Sequence, residues 1–470
     1  MATKTGNEKL QEKLFTQRKS AWEKMNEKDQ KEVFDFCEGY KKFLAKNKNE
    51  RVLAKNVVST LEKNGFKNIE NLKKVITGDK VYKIIKEKTI FACVVGKDKE
   101  KFHLIASHTD SPRLDIKPHP LYEDSQLALF QTHYYGGIKK YQWVNVPLVL
   151  SGVIFTKKGK KVEICIGEKL SDPKFMIADL LPHLAREQME KKANKIIEGE
   201  DMNVLVGNIP IQDKKIKEKI AFLVMKNLND EYGICEEDFE FAELEFLPAT
   251  SPCDIGFDRS LIGAYGQDDK VCVYTSLQAI LNIKKPNQTT IAMFVDKEEI
   301  GSVGNTGADS LVLENFMHDL LDLTGSKIRL NKVFEKSYAI SADVTAGVDP
   351  NYKSAHELKN ASFLGFGISV EKYGGGGGKF FTTDTHAEYM SLLRSVLDKN
   401  KISWQTGELG KIDLGGGGTI AMYIAKYGID IIDIGPALLS MHAPMEISSK
   451  VDVYMAYKFY KAFFEAKFER

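Results

Sequence analysis

The stretch Thr289-Thr290-Ile291-Ala292-Met293-Phe294-Val295 follows an apolar helical pattern over Val271–Ile283. An uninterrupted run of β-branched and apolar residues of this length predicts a buried strand. The alternation continues along the chain, with strands predicted at 338–342 and 429–434 and helices at 385–397, 419–426 and 451–468. Alternating strands and helices predict an α/β fold in which helices cover both faces of one sheet.

The chain before this region has two parts that differ in their pattern of apolar and polar residues. Residues 8–66 are predicted to form charged helices, and two strands follow at Val81–Val95 and Phe102–Ala106. From about Pro118 to Ile262, short apolar runs alternate with turns, which predicts strands at 148–155, 162–166 and 221–224 and a helical patch at 176–193. This middle part is typical of a separate, smaller β-rich domain.

Composition excludes several classes of protein. The 470 residues include 67 Lys+Arg and 65 Asp+Glu, a net charge of +2, so nucleic acid is not expected as a partner. No apolar run approaches the roughly 18–20 residues of a membrane span, and the polar start Met1–Thr5 lacks the apolar core of a secretory signal. The six cysteines show no CxxC spacing, which argues against disulfides and a thiolate zinc site. We therefore expect a cytoplasmic protein.

Side chains that bind metals follow several of the predicted strands. In α/β sheets ligands bind beyond the carboxyl ends of the strands, and zinc without thiolates prefers His nitrogen and carboxylate oxygen. Each segment alone has a structural explanation, since a strand-end His is usually structural, Glu-Glu is usually solvated and Asp-Asp often caps a helix. Together they predict a metal site from five segments: His108 with Asp110, Asp268-Asp269, Glu298-Glu299, Asp343 and His442.

A two-metal hydrolytic site would divide these groups by role. Two metals about 3.5–4 Å apart commonly share one carboxylate, so one Asp of the Asp268-Asp269 pair would bridge. One of Glu298 and Glu299 would bind metal, and the other would serve as general base on the attacking water. Asp110 suits the role of accepting the free ring N–H of His108 and fixing its tautomer.

Four segments resemble the signatures of the aspartyl aminopeptidase family, which includes the vacuolar aminopeptidase I type. They are His108-Thr109-Asp110-Ser111-Pro112, Asp296-Lys297-Glu298-Glu299-Ile300-Gly301-Ser302, Ser341-Ala342-Asp343-Val344 and Met441-His442. The resemblance implies an aminopeptidase of the zinc-peptidase α/β type, with a mixed sheet in a catalytic domain formed by residues 1–117 and 263–470. It also implies that residues 118–262 are an inserted β-rich lid and oligomerisation domain.

The resemblance further implies two Zn2+ per subunit and assigns each ligand. His108, Asp268 and Asp343 hold one metal, and Asp268 bridges to a second that Glu299 and His442 complete. Glu298 is the general base, and Asp110 is the partner of His108. Many members have Asn after the bridging Asp, whereas this chain has Asp269, and we take the first Asp as the bridge. Carboxylate-rich sites of this kind also accept Co2+ or Mn2+.

Two residues are expected to contact the substrate, a peptide with a free N-terminus. The segment Leu181-Pro182-His183-Leu184-Ala185 matches a family string whose His reaches the site of a neighbouring subunit in a homo-oligomer, commonly a dodecamer. Without the family, His183 would be interpreted as a helix-start residue. Acid-selective members place Lys where an ungapped alignment puts Glu371, which favours neutral or basic N-terminal residues over acidic ones. The alternatives are a one-residue shift that brings Lys372 there, or a solvated Glu371.

Two rival functions and one rival motif complete the predictions. A metal-dependent deacylase or carboxypeptidase on the same fold would use the same ligands, and a non-catalytic scaffold would have lost a ligand or the base. The glycine run Gly374–Gly378 precedes Lys379, but a phosphate-binding loop would need Gly at Tyr373 and Ser or Thr at Phe380. This run and Gly415–Gly418 are instead predicted to approach a substrate closely or to form loops.

Overall fold

The computed structural model describes residues 5–16 and 18–468; Met1–Lys4, on which the prediction about a secretory signal partly rests, lie outside the described residues. The largest sheet has nine strands and is mixed, with parallel neighbours at its centre. The predicted α/β fold is confirmed. In spatial order the strands are Lys67–Asn68, Lys80–Ile85, Thr89–Val94, Gln288–Val295, Asp98–His108, Tyr338–Ser341, Asp430–Gly435, Ile368–Glu371 and Trp404–Thr406.

Helices cover both faces of this sheet. Successive side chains of a strand point to opposite faces, so Ile105 joins one hydrophobic core while Leu104 and Ala106 join the other. The α-helices are Gly6–Leu14, Glu27–Lys46, Glu50–Lys63, Arg186–Met189, Lys219–Tyr232, Gln267–Leu281, Val312–Thr324, Leu330–Phe334, Ala387–Lys399, Ala421–Ala425 and Lys450–Glu465.

The middle of the chain builds an antiparallel sheet with a hydrophobic core of its own, centred on Trp143, Phe130 and Phe246. Its strands, in spatial order, are Lys161–Ile166, Leu148–Phe155, Ala242–Pro248, Arg113–Asp124, Leu127–Tyr135 and Val204–Gly207. This sheet starts at Arg113 and ends at Pro248, and the division of the chain at 118 and 262 stays a prediction.

A third, smaller sheet lies beside the ends of the central strands. In it, Leu261–Ala264 pairs with Glu446–Ser449, and Thr345–Ala346 pairs with Ala437–Leu439. The sheet consists of Cys253–Ile255, Leu261–Ala264, Glu446–Ser449, Ala437–Leu439 and Thr345–Ala346. It joins the segments that carry Asp268, Asp343 and His442.

Two local predictions in the middle part are wrong. Residues 221–224, predicted as a strand, lie inside the helix Lys219–Tyr232, which ends at Gly233 in the left-handed conformation. The helical patch predicted at 176–193 contains one helical turn, Arg186–Met189. Pro182 explains the second error, because proline disfavours helical backbone in the residue before it.

The two glycine runs pack against each other. The Gly375 amide donates to the Gly417 carbonyl at 2.8 Å. A Cβ on Gly416 would lie 1.8 Å from the Gly375 carbonyl oxygen, so this contact requires glycine.

Among the described residues, no helix combines the length and apolar character that crossing a membrane requires. The cytoplasmic location stays a prediction.

Candidate metal centre

His108 is the last residue of the long central strand Asp98–His108, and its side chain is buried. Its Nδ1 lies 3.1 Å from the backbone oxygen of Asp110 and 3.4 Å from Asp110 Oδ1. The opposite ring atom, Nε2, lies 3.2 Å from Asp268 Oδ1 and 3.8 Å from Asp343 Oδ1. The strand end therefore aims one imidazole nitrogen at carboxylates that come from two other segments.

Asp268 links the two histidines. Its Oδ1 faces His108, and its Oδ2 lies 3.2 Å from His442 Nε2. His442 Nε2 also lies 3.4 Å from Glu299 Oε2, and His442 Nδ1 is 2.7 Å from the carbonyl oxygen of Gly137. One carboxylate thus contacts both imidazoles with separate oxygens, which is the arrangement of a bridging ligand.

Glu298 and Glu299 lie on a short 3-10 turn directly after the strand Gln288–Val295. The carboxylate of Asp110 holds this turn, because its two oxygens accept the amides of Glu298 at 3.2 Å and Glu299 at 3.1 Å. Glu298 Oε2 lies 3.9 Å from His108 Nε2. The side chain of Glu298 is 16% exposed and that of Glu299 is 3% exposed, so Glu298 has the better access to solvent.

Burial and crowding shift the pKa values of these groups strongly. Burial raises the pKa of Glu298 to about 7, and burial together with neighbouring carboxylates raises the pKa of Glu299 and of Asp343 well above the ordinary value. Burial acts in the same direction on Asp268, but hydrogen bonds from His108 and His442 hold its pKa below the ordinary value. Carboxyl groups crowded together in a buried place resist ionising, and a bound cation would favour their charged forms.

The donor set fits a bound metal. Each histidine directs Nδ1 at an oxygen acceptor, which keeps a proton there, and directs Nε2 at carboxylate oxygens, where it can lose its proton and bind a metal. A cation between Nε2 and these carboxylates would replace the Nε2 proton that now bonds to Asp268. Glu299 Oε1 is buried without a hydrogen-bond partner in the described structure. Ligand atoms of His108, Asp268 and Glu299 lie within 4.8 Å of one another, as do those of His108, Asp269 and Asp343.

Asp269 differs from Asp268 in what it contacts. Its Oδ2 accepts the backbone amide of His108 at 3.3 Å, and burial raises its pKa well above the ordinary value. Asp268 is the residue of the pair that faces both histidines. This geometry supports the choice of Asp268 as the bridge.

Three residues that sequence reasoning missed hold the cluster in place. Tyr135 donates its hydroxyl to Asp110 Oδ2 at 2.9 Å, and Gly137 supplies the carbonyl that His442 contacts. Glu446 accepts the backbone amides of His442 at 2.8 Å and Asp268 at 3.1 Å. In the sequence, the adjacent glycines Gly136-Gly137 were the feature that could have pointed to this contact. The structure gives the reason, because a Cβ on Gly136 would lie 3.2 Å from Glu299 Oε2.

The structure does not bring His183 or Glu371 into this cluster. His183 lies exposed on the middle part of the chain. Glu371 is 8% exposed and its carboxylate contacts the Thr345 hydroxyl, so the alternative that it is solvated is wrong. Burial, with the nearby acidic groups of Asp433 and Glu408, raises the pKa of Glu371 to about 8.

A mixed α/β sheet with imidazoles and carboxylates at its carboxyl edge defines a metal-dependent hydrolase. The chain belongs to the M18 family of aminopeptidase I zinc metalloproteases, whose sequence profile matches residues 43–464. A probable M18 family aminopeptidase 1 from Clostridium acetobutylicum is 47% identical over 458 residues, covering 96% of this chain and 98% of the relative. The family resemblance is therefore confirmed, and the chain is a metallo-aminopeptidase.

Solved structures agree with this assignment. The M18 family aminopeptidase from Thermotoga maritima has a TM-score of 0.93 and 45% identity, covering 96% of this chain and 100% of that one. The mApe1 dodecamer of S. cerevisiae shares the fold at a TM-score of 0.73 and 21% identity, covering 92% of this chain and 96% of its own.

Proposed function

We propose that the protein is a dinuclear-metal aminopeptidase that releases the N-terminal residue of peptides. His108, Asp268 and Asp343 would hold one metal ion, and Asp268, Glu299 and His442 the other. The observation that carries this proposal is that the two oxygens of Asp268 lie 3.2 Å from two different imidazole nitrogens. When bound, a zinc pair supplies Lewis acidity to the scissile carbonyl and lowers the pKa of water.

Glu298 is the group that moves the proton. It lies at the edge of the cluster, and Asp110 fixes its amide, so its carboxylate can reach both the cluster and solvent. We propose that Glu298 takes a proton from the attacking water and delivers it to the leaving amine. Asp110 also keeps the ring of His108 in one orientation, with Nε2 toward the cluster.

The variant Glu298→Gln tests this division of roles. We expect it to retain wild-type metal content, by elemental analysis, and to lose about 10²–10⁴-fold in kcat, the usual contribution of a general base. His442→Ala is the matched comparison, because removal of a ligand should lower the metal content itself. Near-normal turnover by Glu298→Gln would exclude Glu298 as the base.

A requirement for a free amine separates this function from a deacylase or carboxypeptidase on the same fold. Leu-p-nitroanilide and its N-acetylated form differ only at the amine, so we expect hydrolysis of the first and none of the second.

The S. cerevisiae relative was solved as a dodecamer, and we propose a homo-oligomer of that kind, in which residues 118–262 form contacts between subunits and His183 reaches a neighbouring site.

We also propose a preference for neutral or basic N-terminal residues over acidic ones. Glu371 offers no cation to pair with an acidic substrate side chain, and the acidic groups near it, Asp433 and Glu408, would repel one. Hydrolysis rates for Asp-, Leu- and Arg-p-nitroanilide test this. A clear preference for the Asp substrate would contradict the proposal.

A further inference from the structure

Asp110 joins segments from two different sheets. Within the catalytic part, its carboxylate faces His108 Nδ1 and accepts the amides of Glu298 and Glu299. Its remaining described partner is the hydroxyl of Tyr135, at 2.9 Å from Oδ2. Tyr135 is the last residue of the strand Leu127–Tyr135, which belongs to the six-stranded sheet of the middle part. Tyr135, which lies outside the large sheet, thus holds the carboxylate that contacts both His108 and the turn at Glu298 and Glu299.

Arg113 packs against one face of the Tyr135 ring. The two residues are register partners on adjacent strands, and the Arg113 guanidinium carbon lies 3.8 Å from the ring centroid. A guanidinium over an aromatic face is attracted by the ring electrons, more strongly when both are out of water. Arg113 and Tyr135 are 6% and 8% exposed. The ring therefore has little freedom to turn its hydroxyl away from Asp110.

Arg113 is itself held by carboxylates from three segments. Its guanidinium lies 2.7 Å from Asp115, 2.9 Å from Glu245 and 3.2 Å from Glu50. Glu50 also pairs at 2.9 Å with Lys88, whose ammonium lies 3.6 Å from Asp296, two residues before Glu298. The network therefore contacts Asp296 directly through Lys88. It also supports the turn at Glu298 and Glu299 indirectly, through Tyr135 and Asp110. The network surrounds the Arg113 guanidinium with carboxylates, although desolvation of these charges offsets much of their attraction.

We infer that Tyr135 is a positioning residue of the hydrolytic reaction. Its hydroxyl fixes Asp110, and Asp110 in turn fixes the ring of His108 and the turn that carries Glu298 and Glu299. The middle part of the chain thereby contributes to metal retention and proton transfer within its own subunit. This inference rests on the proposed function, because it gives Tyr135 a role through the same ligands and base.

The variant Tyr135→Phe removes the hydroxyl and keeps the ring on Arg113. We expect zinc affinity, measured by competition with a chelator, to fall about tenfold, the low end of the effect of groups that orient metal ligands. We expect kcat to fall as well, with KM unchanged and the melting temperature of the metal-free protein lowered only slightly by the loss of one hydrogen bond. Tyr134→Phe removes a neighbouring exposed hydroxyl and serves as the control, with wild-type behaviour in each measurement.

A double-mutant cycle shows whether Tyr135 acts through Asp110. In the Asp110→Ala background the acceptor is absent, so Tyr135→Phe should cause no further loss of zinc affinity. Wild-type zinc affinity and kcat in Tyr135→Phe would overturn the inference, and so would equal losses in both backgrounds. If the wild-type protein binds no zinc or cleaves amine-blocked substrate equally well, the proposed function fails instead, and that result is visible without the tyrosine variants.

Discussion

Glu446 is a buried carboxylate whose two oxygens each accept a backbone amide of a residue that we propose as a metal ligand. Oε1 accepts from His442 at 2.8 Å and Oε2 from Asp268 at 3.1 Å, and the residue is 1% exposed. In Glu446→Gln one oxygen becomes an amide donor that faces a backbone donor. We expect the metal-free variant to lose about 1–3 kcal/mol in the free energy of unfolding, the cost of one unsatisfied buried group.

Urea unfolding of the chelator-treated proteins measures this loss. Glu465→Gln is the control, because Glu465 pairs with Lys461 at the surface of a helix and its loss should change stability little. The reloaded Glu446→Gln variant should also hold less metal, since the backbone spacing between Asp268 and His442 is no longer fixed. Unchanged stability and metal content would show that Glu446 does not position the ligands.

At the scale of elements, the strand Asp98–His108 is fastened to the C-terminal helix by His103. The residue is fully buried, its Nδ1 donates to the Phe463 carbonyl at 2.8 Å, and its ring stacks on Phe463. Burial lowers the pKa of His103 to about 3. Because the folded pKa is below the ordinary value of 6.5, the unfolded chain binds the proton first, and stability is lost as pH falls below 6.5.

His103→Gln tests this dependence on the metal-free protein. Two pH units below 6.5 correspond to roughly 3 kcal/mol at 1.36 kcal/mol per unit. The wild type should therefore exceed the variant in the free energy of unfolding by a constant amount above pH 6.5, and the difference should shrink by about that much at pH 4.5. Parallel stability curves for the two proteins between pH 4.5 and 7.5 would contradict this account of His103.

The elements that the sequence predicted correctly are those with unambiguous patterns. The strand at 289–295 is an unbroken apolar run long enough for a buried strand, and the structure has it as Gln288–Val295. The apolar run at 221–224 has the same texture but is short, and such runs do not distinguish a strand from one face of a helix. The segments of the candidate metal site were visible because their His, Asp and Glu residues follow predicted strands or begin a predicted helix. Tyr135 and Glu446 were not, since their roles depend on contacts across 25 and 178 residues.

At the scale of the whole molecule, the surface around His183 is suited to a subunit contact. The neighbouring side chains of Leu180, Leu181 and Leu184 are 45%, 49% and 67% exposed. Contiguous exposed apolar residues favour association with another surface. His183 lies apart from the cluster of histidines and carboxylates in its own chain, so the role proposed for it requires it to act on the site of a neighbour.

Mixed oligomers test this role directly. We expect His183→Ala and Glu298→Gln to be nearly inactive alone, whereas co-expression should restore activity, because some sites then combine an intact Glu298 with a neighbour's intact His183. Random mixing in a symmetric oligomer gives roughly a quarter of the wild-type sites. The pair His442→Ala and Glu298→Gln is the control, since both residues belong to one site and no mixture repairs it. Full activity of His183→Ala alone, or no recovery on mixing, would show that His183 does not complete a neighbouring site.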